Sequence, residues 1–273
     1  MRVERPIVLI GCGKMGGALL AGWLARGLAP GDVRVVEPDA DLARAVAARH
    51  GVAIVATPDA LEPGLDPSVV LIAVKPQRMA DAVPAYRAFA RPGTLVLSIA
   101  AGRTIAAIGR LLGAGAPIVR AMPNTPAAVG RGITVAVANA AVTPAMRALA
   151  AELLGAVGEV IWTEDESLID PVTALSGGGP AYVFLLIDTL AAAGEKVGLP
   201  PDMARRLARV TVTGAGELAY RSEEPAEQLR RNVTSPGGTT IEAIKILMAE
   251  DGLQPLFDRA LAAATRRGRE LAE

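Results

Sequence analysis

The stretch whose residue types and spacing best suit chemistry is Asn232-Val233-Thr234-Ser235-Pro236-Gly237-Gly238-Thr239-Thr240, which runs into IEAIKILM. The proline stops the segment before it, and the two glycines let backbone come close to a ligand. Thr239 and Thr240 then fall where a new helix begins. Free N–H groups at a helix start, with the positive end of the helix dipole behind them, outline an anion pocket. An ordinary Ser/Thr-capped turn accounts for the same residues, so the rest of the chain has to decide between the two.

A second constellation lies near the start of the chain. Ile7 to Ile10 is a short apolar run that ends in Gly11-Cys12-Gly13-Lys14-Met15-Gly16, and a helical pattern follows from Ala18 to Ala25. Strand, glycine turn and helix form the context that a dinucleotide fingerprint requires. Gly11 permits the tight turn, Gly13 lets backbone reach a pyrophosphate, and Gly16 lets the helix pack on the strand. The next apolar run, Val33 to Val36, ends in Glu37. An acid there is placed to hold a ribose 2′-OH and to repel the 2′-phosphate of NADP; a solvated loop charge is the plainer alternative. Arg44, on the following helix, is placed to answer a phosphate.

Conventional catalytic groups are scarce. The only histidine, His50, lies late in a helix beside Gly51, as a C-terminal cap would, and the only cysteine, Cys12, reads as a small spacer in the glycine turn. One of each excludes a disulfide framework, a Cys-based zinc site and a multi-His metal centre, so no metal is expected. The 28 basic and 28 acidic residues cancel, so no basic field for nucleic acid is implied. No leader and no uninterrupted apolar run of membrane-spanning length is read, which gives the expectation of a cytoplasmic protein without a membrane partner. Hydrophobic residues make up 51% and aromatics 3%, so the core must be built from Ala, Val, Leu and Ile.

The elements that would position these residues fall into two halves. Val69 to Val74 is a continuous apolar run that ends in Lys75-Pro76, as expected of a parallel strand buried on both faces. Lys75 either neutralises a phosphate or simply terminates that strand. Leu95 to Ile99 ends in Ala100-Ala101-Gly102, small residues that let a flat nicotinamide approach the backbone. Ile118 to Arg120 leads into a proline-fixed turn, Met122-Pro123-Asn124-Thr125-Pro126. Ile133 to Val137 and Val160 to Trp162 are later strands. Strands alternating with helices read as a doubly wound α/β sheet. After Trp162 the pattern becomes helical: a short helix at 165–174, a chain break at Ser176–Pro180, an almost wholly apolar helix at 181–197, and helices from Pro201, Pro225, Thr239 and Leu253. The expected division is 1–163 for dinucleotide binding and 164–273 for an all-helical unit whose surplus apolar faces suggest oligomerisation.

The blocks GCGKMG (11–16), AVKP (73–76), SIAAG (98–102), RAMPNTP (120–126), SGGGPAY (176–182) and NVTSPGGTTIEA (232–243) resemble pyrroline-5-carboxylate reductase, in order and over nearly the whole chain. The resemblance implies an N-terminal Rossmann-like domain and a C-terminal helical substrate-binding and dimerisation domain. It also implies NADPH or NADH as cofactor, 1-pyrroline-5-carboxylate as substrate and L-proline as product. A homo-oligomer is implied too, either a dimer or a larger ring such as a decamer. Cofactor contacts carried over by motif are Ile10, Gly11, Cys12, Gly13, Lys14 and Met15 at the pyrophosphate, and Glu37 at the adenosine ribose. Ala73, Val74, Lys75, Pro76, Ile99, Ala100 and Ala101 line the dinucleotide, and Asn232 reaches it from the helical domain. Substrate contacts are Glu223, Ser235, Gly237, Gly238, Thr239 and Thr240, with the Thr240 hydroxyl on the ring nitrogen as the catalytic contact.

Two departures from the family pattern stand out. Gly178 replaces the serine usual in the middle of the SGSGPAY block, and Glu37 stands where NADPH-preferring members often carry serine. Another NAD(P)-dependent imine reductase or a β-hydroxyacid dehydrogenase shares the layout. The acid dehydrogenases generally place a lysine on the long interdomain helix, however, and Lys196 lies only at its far end. A non-catalytic NAD(P)-sensing protein would keep the glycine turn but has no need of TSPGGTT.

Overall fold

The computed structural model describes residues 1–113 and 115–272. Its strands are β1 (Ile7–Ile10), β2 (Val33–Val36), β3 (Ala53–Val55), β4 (Val69–Ile72), β5 (Leu95–Ser98), β6 (Ile118–Met122), β7 (Gly132–Ala138) and β8 (Gly158–Trp162). Among the described residues they form one sheet, in the order β3-β2-β1-β4-β5-β6-β7-β8. From β3 to β6 every pairing is parallel, β7 runs antiparallel to β6, and β8 is parallel to β7. The strand order reverses beside β1, where β2 lies on one side and β4 on the other; in open α/β sheets, ligands bind beyond the carboxyl ends of the strands at such a switch point.

The helices are α1 (Lys14–Ala25), α2 (Ala40–His50), α3 (Met79–Ala82), α4 (Ile105–Leu112), α5 (Pro144–Gly155), α6 (Ile169–Val172), α7 (Gly179–Lys196), α8 (Pro201–Arg221), α9 (Ala226–Asn232), α10 (Thr239–Leu247) and α11 (Leu253–Ala272). By compactness the chain divides into 1–177 together with 264–273, and 178–263.

In the sheet unit, alternate strand residues feed two separate cores. Ile7, Leu9, Val33, Val35, Leu71 and Leu97 pack with Trp23, Leu153 and Leu154 on one face. Val8, Ile10, Val70, Ile72 and Val96 pack with Tyr86, Ile108 and Ile118 on the other. Burial on both faces explains why these strands read as unbroken apolar runs rather than alternating ones. The indole N–H of Trp23 donates to the Leu153 carbonyl at 2.9 Å, which satisfies the polar atom of a large side chain deep in the core. β3, only three residues long at the sheet edge, has too few positions to carry a periodic signal and was not anticipated.

Residues beyond the last strand still pack on the sheet unit. Arg120, in the middle of β6 and 2% exposed, pairs with Glu166 at 2.9 Å and with Asp170 at 3.4 Å. The same Glu166 oxygen accepts the Ile105 N–H, tying in the start of α4. The glycine block at Ser176–Pro180, expected to break the chain, instead joins a wide π-type turn (Thr173–Gly177) to α7. A side chain at 177 would meet the Met122 methyl at 2.5 Å, so close packing rather than chain breaking accounts for that glycine. With this junction helical, Glu166–Lys196 is long and apolar enough by length and composition to cross a membrane, a run that the glycines conceal in the sequence.

In the helical unit, α7 and α8 are held close by small residues. Ala191, Ala204 and Ala208 are buried, and a side chain at Gly194 would press on Ala204 and Leu199 at 3.3 Å. Tyr182 and Phe257 meet edge to face at 6.3 Å. Phe184, Leu185 and Val210 are 61%, 65% and 60% exposed, so much of the apolar surface of this unit is left without a covering within the chain.

Candidate active site

The residues of the sheet unit expected to touch a dinucleotide come together along one edge of the sheet; Asn232 lies in the helical unit. The register aligns Ile10 with Val36 and Ile72, and Ile72 with Ser98, so β1, β2, β4 and β5 end in one row. Backbone bonds stitch the loops beyond them: Gly11 N–H to Val36 O at 2.8 Å, Ala73 N–H to Ile10 O at 2.9 Å, and Ile99 N–H to Ile72 O at 3.0 Å. The Arg103 guanidinium donates to Pro76 O at 3.3 Å and links the β5 loop to the β4 loop.

The glycine loop is shaped for an anion. Gly11 has φ +84°, which a side chain would strain. A Cβ at Gly16 would lie 2.4 Å from Gly11 O and 3.2 Å from the Ala73 Cβ, so glycine there is what lets α1 come down onto β1 and β4. Nothing lies within 4 Å of where a Cβ at Gly13 would be, and no side chain caps α1. Its first N–H groups are therefore free to meet a pyrophosphate, with the dipole of a 12-residue helix behind them. Lys14 and Lys75 are exposed at this edge, whereas Ile10, Cys12 and Ala100 are buried and offer only backbone. Burial, and then the charge of Glu37, push the Cys12 thiol up to about 11, which keeps it protonated and inert.

Glu37 is 8% exposed. Its Oε2 accepts the Cys12 N–H at 2.8 Å and its Oε1 accepts the Asp39 N–H at 3.1 Å. The carboxylate thus spans the end of β2 and the glycine loop. Arg44, considered above as a phosphate ligand, is ion-paired with Asp41 on its own helix. Gly51, with φ +67° and its N–H on Ala47 O, terminates α2; His50 is only the last helical residue.

In the helical unit, α10 begins at Thr239, where the sequence places it. Gly237 has φ +73°, Gly238 N–H donates to Ser235 O at 3.1 Å, and no side chain caps the helix. Ser235, Gly237, Thr239 and Thr240 are exposed around this start. The capped-turn alternative is therefore not realised by a side chain, and the first-turn N–H groups are available to an anion. Glu223 lies exposed in the link between α8 and α9. Asn232, the last residue of α9, has both ends of its amide engaged, donating to Glu224 at 3.0 Å and accepting from Gln228 at 2.8 Å.

Asn124 was read only as part of a turn. Its side chain accepts the Ile133 N–H at 3.0 Å and donates to Ser176 Oγ at 3.2 Å, joining the proline-rich loop after β6 to the π-type turn. Arg120 carried a signal that reading by motif passed over, because an arginine inside an apolar strand must find buried partners.

Comparisons with known proteins find relatives over nearly the full chain. Residues 6–102 match a family described as NADP oxidoreductase, coenzyme F420-dependent, and residues 166–271 match pyrroline-5-carboxylate reductase dimerisation. A pyrroline-5-carboxylate reductase of Pseudomonas aeruginosa is 43% identical, covering 98% of this chain and 97% of its own, and that of Escherichia coli is 36% identical over 99% and 100%. The solved pyrroline-5-carboxylate reductase of Coxiella burnetii superposes with a TM-score of 0.91 at 38% identity, covering 99% of this chain and 100% of its own. A Plasmodium falciparum pyrroline carboxylate reductase with NADP bound gives 0.83 at 25% identity, over 99% of each chain. Rossmann-like sheet, glycine loop, helical unit and full-length similarity together mean that this chain belongs to the pyrroline-5-carboxylate reductase family.

Proposed function

We propose that this chain reduces 1-pyrroline-5-carboxylate to L-proline with NADPH or NADH, the last step of proline synthesis. The observation that carries this reading is the pair of uncapped helix starts, α1 after Gly13 and α10 after Gly238. One suits a pyrophosphate and the other a small carboxylate. Family membership supplies the substrate class. The division of labour would follow the expected boundary, with 1–163 binding the dinucleotide and 164–273 binding substrate and a second subunit.

When bound, the reduced nicotinamide supplies a hydride. The substrate is a cyclic imine, and once protonated from solvent its C5 accepts a hydride readily. The C=N π pair then passes to nitrogen, which keeps the proton. This chemistry needs no strong general acid on the protein, in keeping with a chain whose one cysteine is buried and whose one histidine ends α2. The protein's task is positioning. The substrate carboxylate would rest on the N–H groups at the start of α10 beside Ser235, Gly237, Gly238 and Thr239. The Thr240 hydroxyl would hydrogen-bond the ring nitrogen, with Glu223 nearby. At the sheet edge, Ile10 to Met15 would hold the pyrophosphate and Glu37 the ribose. Ala73 to Pro76 and Ile99 to Ala101 would line the dinucleotide, and Asn232 would exchange its present amide bonds for it. The apolar faces of α7 and α8, together with the dimerisation match, support a homo-oligomer. We place it in the cytoplasm, as a dimer or a ring of dimers.

The test is an assay of NADH and NADPH oxidation by the full chain with and without pyrroline-5-carboxylate. Substrate-dependent oxidation with matching formation of proline is expected. A folded oligomer that oxidises neither cofactor would overturn the reading.

A further inference from the structure

The end of β2 carries a choice between the two cofactors. An adenosine ribose at this switch point presents either a free 2′-hydroxyl or a 2′-phosphate. A 2′-phosphate needs a cation or N–H groups, and here Arg34, Arg44 and the N–H groups of Asp39, Asp41 and Leu42 already have partners within the chain. Arg34, on β2, donates to Glu62 at 2.5 Å and to Gly31 O at 2.6 Å. Arg44 is paired with Asp41. Arg49 lies in the last turn of α2, at the opposite end of the helix. The N–H groups that open α2 are capped by Asp39, whose Oδ1 accepts from Asp41 and Leu42, both at 3.0 Å. Glu37 and Asp39 therefore place negative charge at this end, and Glu37 is held in place by two backbone N–H groups. A carboxylate fixed in this way accepts from a ribose hydroxyl without moving, and repels a 2′-phosphate.

Resting on the dinucleotide site proposed above, we propose that Glu37 is the specificity-determining residue of that site: it holds the unphosphorylated ribose of NADH and excludes the 2′-phosphate of NADPH. The Plasmodium falciparum relative has NADP bound, so the fold does not dictate the choice, and the residues after β2 have to.

Equilibrium titration of the full chain with NADH and with NADPH, followed by calorimetry, reads this directly without any turnover. NADH is expected to bind at least about tenfold more tightly. Equal binding, or tighter binding of NADPH, overturns the inference while leaving the proposed reaction intact. Failure of both cofactors to bind overturns the site as well. Glu37→Ser should narrow the ratio toward NADPH, and an unchanged ratio in that variant also contradicts the inference. Because Glu37 supports the glycine loop, a measurement on the unaltered protein stands beside it: AMP should displace NADH at concentrations at least about tenfold lower than adenosine 2′,5′-bisphosphate, from which it differs only at the 2′ position. Equal potency of the two overturns the assignment.

Discussion

At the scale of single residues, the proposed mechanism rests on hydrogen bonds rather than on a proton-transfer apparatus. Thr240 sits in the first turn of α10, exposed, with no side chain capping the helix ahead of it. Losing one oriented hydrogen bond to the ring nitrogen should lower kcat by roughly tenfold to a hundredfold in Thr240→Ala, and Thr240→Ser should recover most of it. Unaltered kcat in Thr240→Ala, read by steady-state kinetics, would remove this hydroxyl from the mechanism. Cys12 makes the opposite kind of prediction. Its thiol is pushed up to about 11 in the folded protein, so between its ordinary value near 9 and about 11 the unfolded chain loses a proton that the folded chain keeps. The stability owed to the protonated thiol is complete below about pH 9 and is lost as pH rises through about 11. Urea midpoints of the wild type and of Cys12→Ala should therefore converge over that range; a gap that does not change with pH would contradict the burial argument.

At the scale of elements, the glycine loop is where packing and function meet. Gly16→Ala would place a methyl 2.4 Å from Gly11 O, forcing α1 off β1. A loss of about 1–3 kcal/mol in stability is expected, together with weaker dinucleotide binding. Thermal denaturation and cofactor titration check the two effects, and a variant normal in both would mean that α1 does not need this approach. These elements were legible because their signals are local. The apolar runs of β1, β2, β4 and β5 follow from burial on both faces, and the spacing of Gly11, Gly13 and Gly16 follows from turn and close contact. What escaped reading depends on partners distant in sequence. Glu37 was placed beside the ribose, but its bond to Cys12 N–H, across 25 positions, has no sequence signature. The Arg120 pairs with Glu166 and Asp170 are equally remote. The Ser176–Pro180 glycines read as a break because glycine does not say whether it frees the backbone or makes room for a neighbour. At Gly177 the neighbour is Met122.

At the scale of the whole molecule, the helical unit carries more apolar surface than its own helices cover, and a family match to dimerisation spans 166–271. Leu185, 65% exposed on α7, would be buried between subunits. Leu185→Asp should place an unpaired charge there and raise the dissociation constant roughly a hundredfold or more. Sedimentation velocity would show the lighter species, and an unchanged assembly would move the interface elsewhere. The central claim is that this chain would position a cyclic imine so that its C5 takes the hydride that NAD(P)H supplies. Its most direct test uses NADH carrying deuterium at the transferring position of C4, with pyrroline-5-carboxylate and the full chain. Mass spectrometry and NMR of the product should show L-proline with a single deuterium at C5. Proline free of deuterium, or no proline at all, would contradict the account.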